Sequence, residues 1–173
     1  NEYELKINRY YKKNLFKLNK INLKKKIFPN FGYFIDYNKL ELDYTATHSM
    51  SYPKESQVIS ELIKTRYPEI KTIADMTSNV GGNTINFCKN FNFVYAVEIN
   101  KKTSQMLKNN LDIYKFKNYK LLNMDSNLFN EKVDLHFYDP PWTGIFYKMH
   151  VNMSLYLSKI NIVDIIKPNF CLK

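Results

Sequence analysis

Residues 72–99 read TIADMTSNVGGNTINFCKNFNFVYAVEI. One apolar run ends at Asp75, two glycines follow, and a stretch with helical spacing leads to a second apolar run that ends at Glu98. Apolar runs that alternate with helical stretches are typical of βα units around a parallel sheet. The stretch therefore predicts an α/β fold. We expect strands at 72–76 and 93–99 and a helix at 83–90.

The same alternation continues along the chain, and no internal repeat is visible. We expect further strands at 119–123, 133–138 and 169–172, and helices at 101–114 and 152–166. Ahead of this region, Pro53 suits the first turn of a helix, with Glu55 close behind it. The apolar stripe of that helix is predicted at Val58, Ile59, Leu62 and Ile63. Residues 31–52 alternate weakly and predict a short strand followed by a loop.

The composition favours one globular domain, with 45% hydrophobic residues in a chain of 173. No apolar stretch approaches the roughly 20 residues of a bilayer crossing, and no secretory leader is visible. We therefore expect a soluble, intracellular protein without a membrane partner. Cys88 and Cys171 have no His or Cys at ligand spacing, so neither a disulfide framework nor a metal site is predicted. Both cysteines are expected to be buried.

The net charge of +10 is concentrated at the N-terminus, where residues 1–30 carry nine Lys and Arg against two Glu. Phosphate neutralisation gives sequence-independent affinity, so a basic arm on a nearly neutral body predicts a nucleic-acid partner. The alternative is a solvated helix face. Helical spacing predicts one basic amphipathic helix, or two, ending near Pro29. We divide the chain into a basic helical extension at 1–50 and a core at 51–173.

The first βα junction has the outline of a cofactor cradle, because Gly81 and Gly82 allow a ligand to approach the backbone closely. Glu98 ends the next strand 23 positions after Asp75. That spacing is close to the ~20 at which an acidic residue binds a ribose hydroxyl pair. The alternatives are a structural tight turn for the glycines and a surface carboxylate for Glu98.

Two further acidic residues follow predicted strands. Asp125 follows the strand predicted in the run YKLLNMDSN at 119–127. Its side chain either accepts a hydrogen bond from the amine of adenine or caps the next helix. The run VDLHFYDPPWTG at 133–144 places Asp139, two prolines and Trp142 at the same sheet edge. Consecutive prolines fix the backbone, so the Asp139 carboxylate and the Pro140 carbonyl are predicted to accept both hydrogens of an amino group, with Trp142 stacking on the base. The alternative is a rigid loop with Trp142 in the core.

These residues resemble class I S-adenosylmethionine-dependent methyltransferases and, within them, the trimethylguanosine synthase family, which methylates guanine N2 of an RNA cap. The likeness covers roughly residues 50–144. It rests on Val80-Gly-Gly-Asn-Thr-Ile followed by Phe87, on Pro53 at a helix start, and on Pro140-Pro-Trp. The resemblance implies a Rossmann-like core with S-adenosylmethionine as cofactor and capped RNA as partner.

The resemblance also implies roles for individual residues. The cofactor residues would be Asp75, Thr77, Gly81, Gly82, Asn83 and Thr84, with Glu98 on the ribose and Asp125 on the adenine. Asp139, Pro140 and Trp142 would be catalytic, with Pro141 beside Trp142 against 7-methylguanine. The basic residues Lys24, Lys25 and Lys26 would hold the cap phosphates or the following RNA.

The sequence departs from the family pattern at several positions. Asn79 replaces a glycine, His48 and Ser49 stand where the family tends to have Trp-Phe, and Asp139 replaces a serine. The run Asp-Pro-Pro-aromatic resembles the pattern of methyltransferases of adenine N6 and cytosine N4 and of some ribosomal guanine-N2 methyltransferases, all of which modify exocyclic amines. The alternatives are therefore an adenine-N6 enzyme and a catalytically silent RNA-binding subunit.

The C-terminal part is short for this fold, because class I methyltransferases normally have seven strands and the sequence predicts five. We expect a sheet without the last two strands, which is completed by a protein partner or by a further C-terminal segment, or which represents a minimal form of the fold.

Overall fold

The computed structural model describes residues 20–140 and 154–166. The helices are α1 (Lys20–Ile27), α2 (Tyr44–Ser49), α3 (Pro53–Arg66), α4 (Gly82–Asn90), α5 (Lys101–Ile113) and α6 (Ile162–Ile166). The strands are β1 (Thr72–Asp75), β2 (Phe93–Val97), β3 (Tyr119–Leu122), β4 (Leu135–Phe137), β5 (Tyr156–Leu157) and β6 (Ile160–Asn161). A 3-10 turn spans Ser126–Leu128.

Strands β1 to β4 form a parallel sheet in the order β3-β2-β1-β4. In the central strand, Ile73 pairs with Val94 of β2 and with Leu135 of β4. This order is that of doubly wound α/β folds, in which ligands bind outside the carboxyl ends of the strands where the order reverses. The predicted α/β class with a mostly parallel sheet is confirmed, whereas the strand predicted at 169–172 lies outside the described residues.

The segment before the sheet joins the same core. Ile27 and Phe28 at the end of α1 are buried, and the Tyr114 hydroxyl of the segment after α5 donates to the carbonyl of Pro29. The strand predicted within 31–52 is not formed. Its place is taken by loops and by α2, which begins where Asp43 accepts a hydrogen bond of 2.9 Å from the N–H of Ala46.

Helix α3 begins at Pro53 as predicted, with Glu55 accepting from the N–H of Tyr52 at 2.7 Å. The predicted apolar stripe is half wrong, because Val58 and Leu62 are 54% and 64% exposed. The buried face is formed by Ser56, Ser60 and Ile63, with Ile59 partly buried beside them. Small serines bring α3 close to α4, and the Ser56 hydroxyl donates to the carbonyl of Gly82 at 2.9 Å.

Of the described part of the helix predicted at 152–166, only residues 162–166 are helical, and the prediction is wrong for 154–161. Residues 156–161 form a short antiparallel hairpin of β5 and β6, and only Ile162–Ile166 is helical. Ser158 at the turn has φ 55°, a left-handed conformation that a continuous helix would not contain. No helix among the described residues is long and apolar enough to cross a bilayer.

Candidate active site

A cleft of about 680 Å³ lies at the carboxyl ends of β1, β2 and β4. Its floor is the turn between β1 and α4. Its walls are formed by the segment 43–51, by the loops after β2 and β3, and by residues 156–158 of the hairpin. Such a position is the ligand site of doubly wound α/β folds. Its position therefore makes this cleft the candidate active site.

The turn after β1 combines two left-handed residues with close packing. Asn79 has φ 49° and Gly81 has φ 110°, a conformation that asparagine tolerates and glycine readily adopts. The Asn79 side chain donates to the Ser49 hydroxyl at 2.9 Å. At Gly82, a Cβ would lie 3.1 Å from the backbone N and O of Ser51. The second glycine thus lets the segment 43–51 lie directly on the turn.

Asp75 lies behind this turn and is 1% exposed. Its carboxylate accepts from the Thr84 hydroxyl at 2.6 Å and from the Thr77 N–H at 3.4 Å. Burial raises the pKa of Asp75 to about 7, although the hydrogen bonds from Thr84 and Thr77 oppose the rise. Asp75 therefore braces the turn against α4 from inside the protein.

Glu98 lines the cleft with both carboxylate oxygens oriented by the backbone. Oε2 accepts from the Asn79 N–H at 2.9 Å, and Oε1 accepts from the Asn100 N–H at 2.8 Å. Burial raises the pKa of Glu98, and these hydrogen bonds oppose the rise. Since each oxygen keeps a further lone pair, the carboxylate can still accept from a ligand.

Asp125 joins the loop after β3 to the hairpin. Oδ1 caps the 3-10 turn by accepting from the Asn127 N–H at 2.9 Å, and Oδ2 accepts from the Ser158 hydroxyl at 2.6 Å. The Asn127 side chain also donates to the carbonyl of Leu157 at 3.3 Å. The hairpin turn is thereby held against the cleft.

Asp139 follows β4 and faces the cleft from the opposite side. Its backbone N–H donates to the Thr77 hydroxyl at 2.8 Å, and its Oδ2 lies 3.4 Å from the Ser51 hydroxyl. Burial raises the pKa of Asp139, and the Ser51 contact opposes the rise. Pro140, which is buried, lines the cleft next to it.

The described lining of the cleft is acidic in a chain with a net charge of +10. It contains the carboxylates of Asp43, Glu98, Asp125 and Asp139 and no Lys or Arg among the described residues. In the described ranges, no group of three or more His, Cys, Asp or Glu could hold a metal ion. An acidic concave surface attracts cationic ligands.

Residues 70–172 match the model of a protein family described as RNA cap guanine-N2 methyltransferase. The match covers more than half of the chain. The chain belongs to this family. The predicted resemblance is thereby confirmed, and as a member of a methyltransferase family the chain has S-adenosylmethionine as its cofactor.

A protein of Acanthamoeba polyphaga mimivirus, described as uncharacterized, is 33% identical over 141 residues, which cover 75% of this chain and 55% of the relative. The chain thus spans little more than half the length of that protein. Among solved structures, Trm5b from Pyrococcus abyssi has a TM-score of 0.47 at 20% identity, covering 67% of this chain and 33% of the other. M. jannaschii TYW2 in complex with AdoMet has a TM-score of 0.43 at 21% identity, covering 62% and 48%.

The structure of this family member brings seven of the thirteen predicted site residues that it describes together at the cleft. Those that line the cleft are Thr77, Gly82, Asn83, Glu98, Asp125, Asp139 and Pro140. Those that do not line it are Asp75 in β1, Gly81 in the turn and Thr84 in α4, together with Lys24, Lys25 and Lys26, which belong to α1. Pro141 and Trp142 lie outside the described residues.

The sequence reasoning missed three parts of the cleft wall. The first is Asp43, which caps α2. The second is Ser51, whose hydroxyl contacts Asp139, and the third is residues 156–158 of the hairpin. None of them follows a strand of the parallel sheet, so the acidic residues at the predicted strand ends do not indicate them. Ser51 stands two positions before Pro53, the predicted helix start, and that proximity was the one available signal.

Proposed function

We propose that this chain transfers a methyl group from S-adenosylmethionine to guanine N2 of a 7-methylguanosine RNA cap. The observation that carries the proposal is the placement of Asp139 and Pro140 at the edge of an acidic cleft, in a chain of this family. The assignment of the substrate atom and of the residue roles is our inference.

The residues of the cleft fit the cofactor. Asn83 is 6% exposed, and its Oδ1 has no hydrogen-bond partner among the described residues, which leaves an unsatisfied acceptor beside the cleft. Glu98 offers an oriented carboxylate for a ribose diol, and Gly82 also lines the cleft. When bound, S-adenosylmethionine supplies an electrophilic methyl group on a positively charged sulfur, which suits an acidic surface.

The amine would be oriented by two acceptors at the end of β4. The Asp139 carboxylate and the Pro140 carbonyl accept the two hydrogens of an exocyclic NH2 and direct the nitrogen lone pair into the cleft. Holding the nucleophile in this geometry converts a bimolecular encounter into an oriented one. The role of the protein is therefore mainly positioning and exclusion of water.

Asp139 is also placed to hold the proton that the nitrogen loses. Burial raises the pKa of its carboxyl, and a carboxylate with a raised pKa is a better proton acceptor. A strong base is unnecessary, because the amine becomes acidic once it carries a fourth substituent.

Guanine suits these acceptors better than adenine does. An ionised carboxylate only accepts hydrogen bonds, and the guanine edge offers both N1–H and the N2 amine as donors. Adenine offers its N6 amine beside N1, which is an acceptor. A 7-methylguanine also carries a positive charge, which the carboxylates of the cleft favour.

The test measures transfer of labelled methyl from S-adenosylmethionine to three substrates: 7-methylguanosine cap analogue, unmethylated cap and an adenine-rich oligonucleotide. We expect label on the 7-methylguanosine cap, and nucleoside analysis should place it on N2. Label on the adenine-rich oligonucleotide alone would replace the proposal with an adenine-N6 activity. RNA binding without any cofactor binding would replace it with a silent binding subunit.

A further inference from the structure

Ser51 connects two residues that come from different ends of the fold. Its hydroxyl lies 3.0 Å from the side-chain nitrogen of Asn83, at the start of α4, and 3.4 Å from Oδ2 of Asp139, after β4. No other side-chain hydrogen bond to the Asp139 carboxylate is present among the described residues. The second distance is long for an O–H···O bond, as is common in active sites before the ligand binds.

The direction of the hydrogen bonds follows from the chemistry of the three groups. The Asn83 Nδ2 group only donates, so the Ser51 oxygen must accept from it. The single hydroxyl hydrogen of Ser51 then remains for the carboxylate of Asp139, which accepts when ionised. The reverse orientation of the Asn83 amide would satisfy only one of the two contacts.

The backbone of Ser51 is fixed as closely as its side chain. A Cβ on Gly82 would lie 3.1 Å from both the N and the O of Ser51, so the two segments are in direct contact. Two residues later α3 begins, and the Ser56 hydroxyl on its buried face donates to the carbonyl of Gly82. Ser51 therefore has little freedom to turn away from Asp139.

We propose that Ser51, held by Asn83 and Gly82, is the positioning residue that orients the Asp139 carboxylate towards the substrate amine. The role assigned to Asp139 rests on the proposed function. Ser51 is not itself a catalytic residue, because it acts through Asp139. Its hydroxyl keeps Oδ2 in one place and leaves the other carboxylate oxygen, Oδ1, for the amine.

Burial and the Ser51 hydroxyl act on the pKa of Asp139 in opposite directions, so the effect of the Ser51 hydroxyl can be measured as a change in that pKa. Burial disfavours ionisation of Asp139 and raises its pKa, whereas the Ser51 hydrogen bond favours ionisation. The other titratable groups that share the cleft or lie behind it are Asp43, Tyr44, His48, Asp75, Glu98, Asp125 and Tyr156.

The experiment follows the Asp139 carboxyl directly by NMR of protein labelled with ¹³C-aspartate, with the signal assigned from an Asp139→Asn spectrum. We expect Ser51→Ala to raise the pKa of Asp139 and Ser51→Thr, which keeps the hydroxyl, to return it towards the wild-type value. Ser60→Ala is the matched control, because it removes a serine hydroxyl that donates to the Ser56 carbonyl in its own helix. An unchanged pKa in Ser51→Ala would overturn the inference.

Methyl transfer supplies the second readout. Ser51→Ala should lower kcat about ten-fold, the scale of a hydrogen bond to a charged group, with less than about a two-fold change in KM for S-adenosylmethionine. In an Asp139→Asn background, Ser51→Ala should not lower kcat further, because Ser51 acts through the Asp139 carboxylate. Additive losses would contradict the inference. If wild type transfers no methyl to any amine, the proposed function fails, while the NMR titration still decides the Ser51 contact.

Discussion

At the residue scale, Asp75 and the cleft carboxylates differ in how completely they are buried. Asp75 is enclosed by the turn and bonded to Thr84, whereas Glu98 and Asp139 are partly exposed to the cleft. Burial raises the pKa of all three. Asp75 therefore acts on stability, and the other two are placed to act on a ligand.

The first prediction concerns the pH dependence of folding. Because the folded pKa of Asp75 is about 7 and its ordinary value is 3.8, the folded state binds the proton more tightly than the unfolded state. The contribution of Asp75 is fully present below pH 3.8 and is lost as pH rises towards 7. Asp75→Asn should remove this part of the slope, which urea denaturation at a series of pH values measures. A wild-type slope in the variant would contradict the assignment.

The second prediction concerns the glycine under Ser51. Gly82→Ala forces a methyl group against the backbone of Ser51, so we expect a loss of about 1–3 kcal/mol in the free energy of unfolding. Displacement of Ser51 should also slow methyl transfer. Gly32→Ala is the comparison, because Gly32 has φ 80° and no atom lies within 4 Å of the place that a Cβ would take. It should cost about 1 kcal/mol through backbone strain alone. Equal transfer rates in the two variants would contradict the account.

At the element scale, helix α3 shows how packing can override an apolar stripe. Its buried face carries Ser56 and Ser60, while Val58 and Leu62 face outwards. Serine at the contact allows a close approach between α3 and α4, where a larger side chain would push the helices apart. The helix was predictable from Pro53, but the face that it buries was not.

The third prediction tests that orientation. Ser56→Val adds volume at a fully buried contact and removes the hydroxyl that donates to Gly82, so we expect a loss of about 1–3 kcal/mol in stability. Val58→Ser, on the exposed face, should change stability by less than about 0.5 kcal/mol. Urea denaturation of both variants measures the difference. A larger loss from Val58→Ser would mean that the exposed face is covered.

The short hairpin at 156–161 could not be predicted from the sequence. Its strands have two residues each, and the apolar spacing around them is also compatible with a helix. The hydrogen bond from Ser158 to Asp125 anchors it, and this contact joins positions 33 residues apart. Only tertiary contacts of this kind distinguish the hairpin from a helix.

At the scale of the whole molecule, the sheet was the most predictable part. The four strands of the parallel sheet lie within the predicted segments, because a parallel sheet buries both faces and leaves continuous apolar runs. The acidic site residues were predictable for a related reason, since the carboxyl ends of parallel strands meet at one edge. Ser51 and Asp43 approach that edge from segments outside the sheet, so their place depends on packing that no local pattern encodes.

The cleft is acidic, whereas the chain as a whole carries a net charge of +10. The Lys24 ammonium donates to the carbonyl of Asn38, and the Lys26 ammonium lies 5.8 Å from the centroid of the Tyr52 ring, next to Ser51. These lysines do not line the cleft. We propose that they contact the phosphates of the RNA outside the cleft.

The fourth prediction concerns salt. If Lys24, Lys25 and Lys26 contact phosphates, replacing all three by alanine should weaken binding of capped RNA and reduce the slope of log K against log salt by about 0.7 for each lost contact. Fluorescence anisotropy with a labelled capped oligonucleotide measures both. Lys108→Ala is the control, because Lys108 is paired with Asp112 at 2.6 Å on α5. An unchanged slope in the triple variant would contradict an RNA role for α1.

The most direct test of the central claim compares Asp139→Ala with wild type in two assays on the same samples. One assay measures methyl transfer to the 7-methylguanosine cap analogue, and the other measures S-adenosylmethionine affinity by calorimetry. We predict that transfer is abolished while the cofactor Kd changes by less than about three-fold, because Asp139 acts on the amine. Loss of cofactor binding would make Asp139 a structural or cofactor residue, and retained transfer would contradict its role in catalysis.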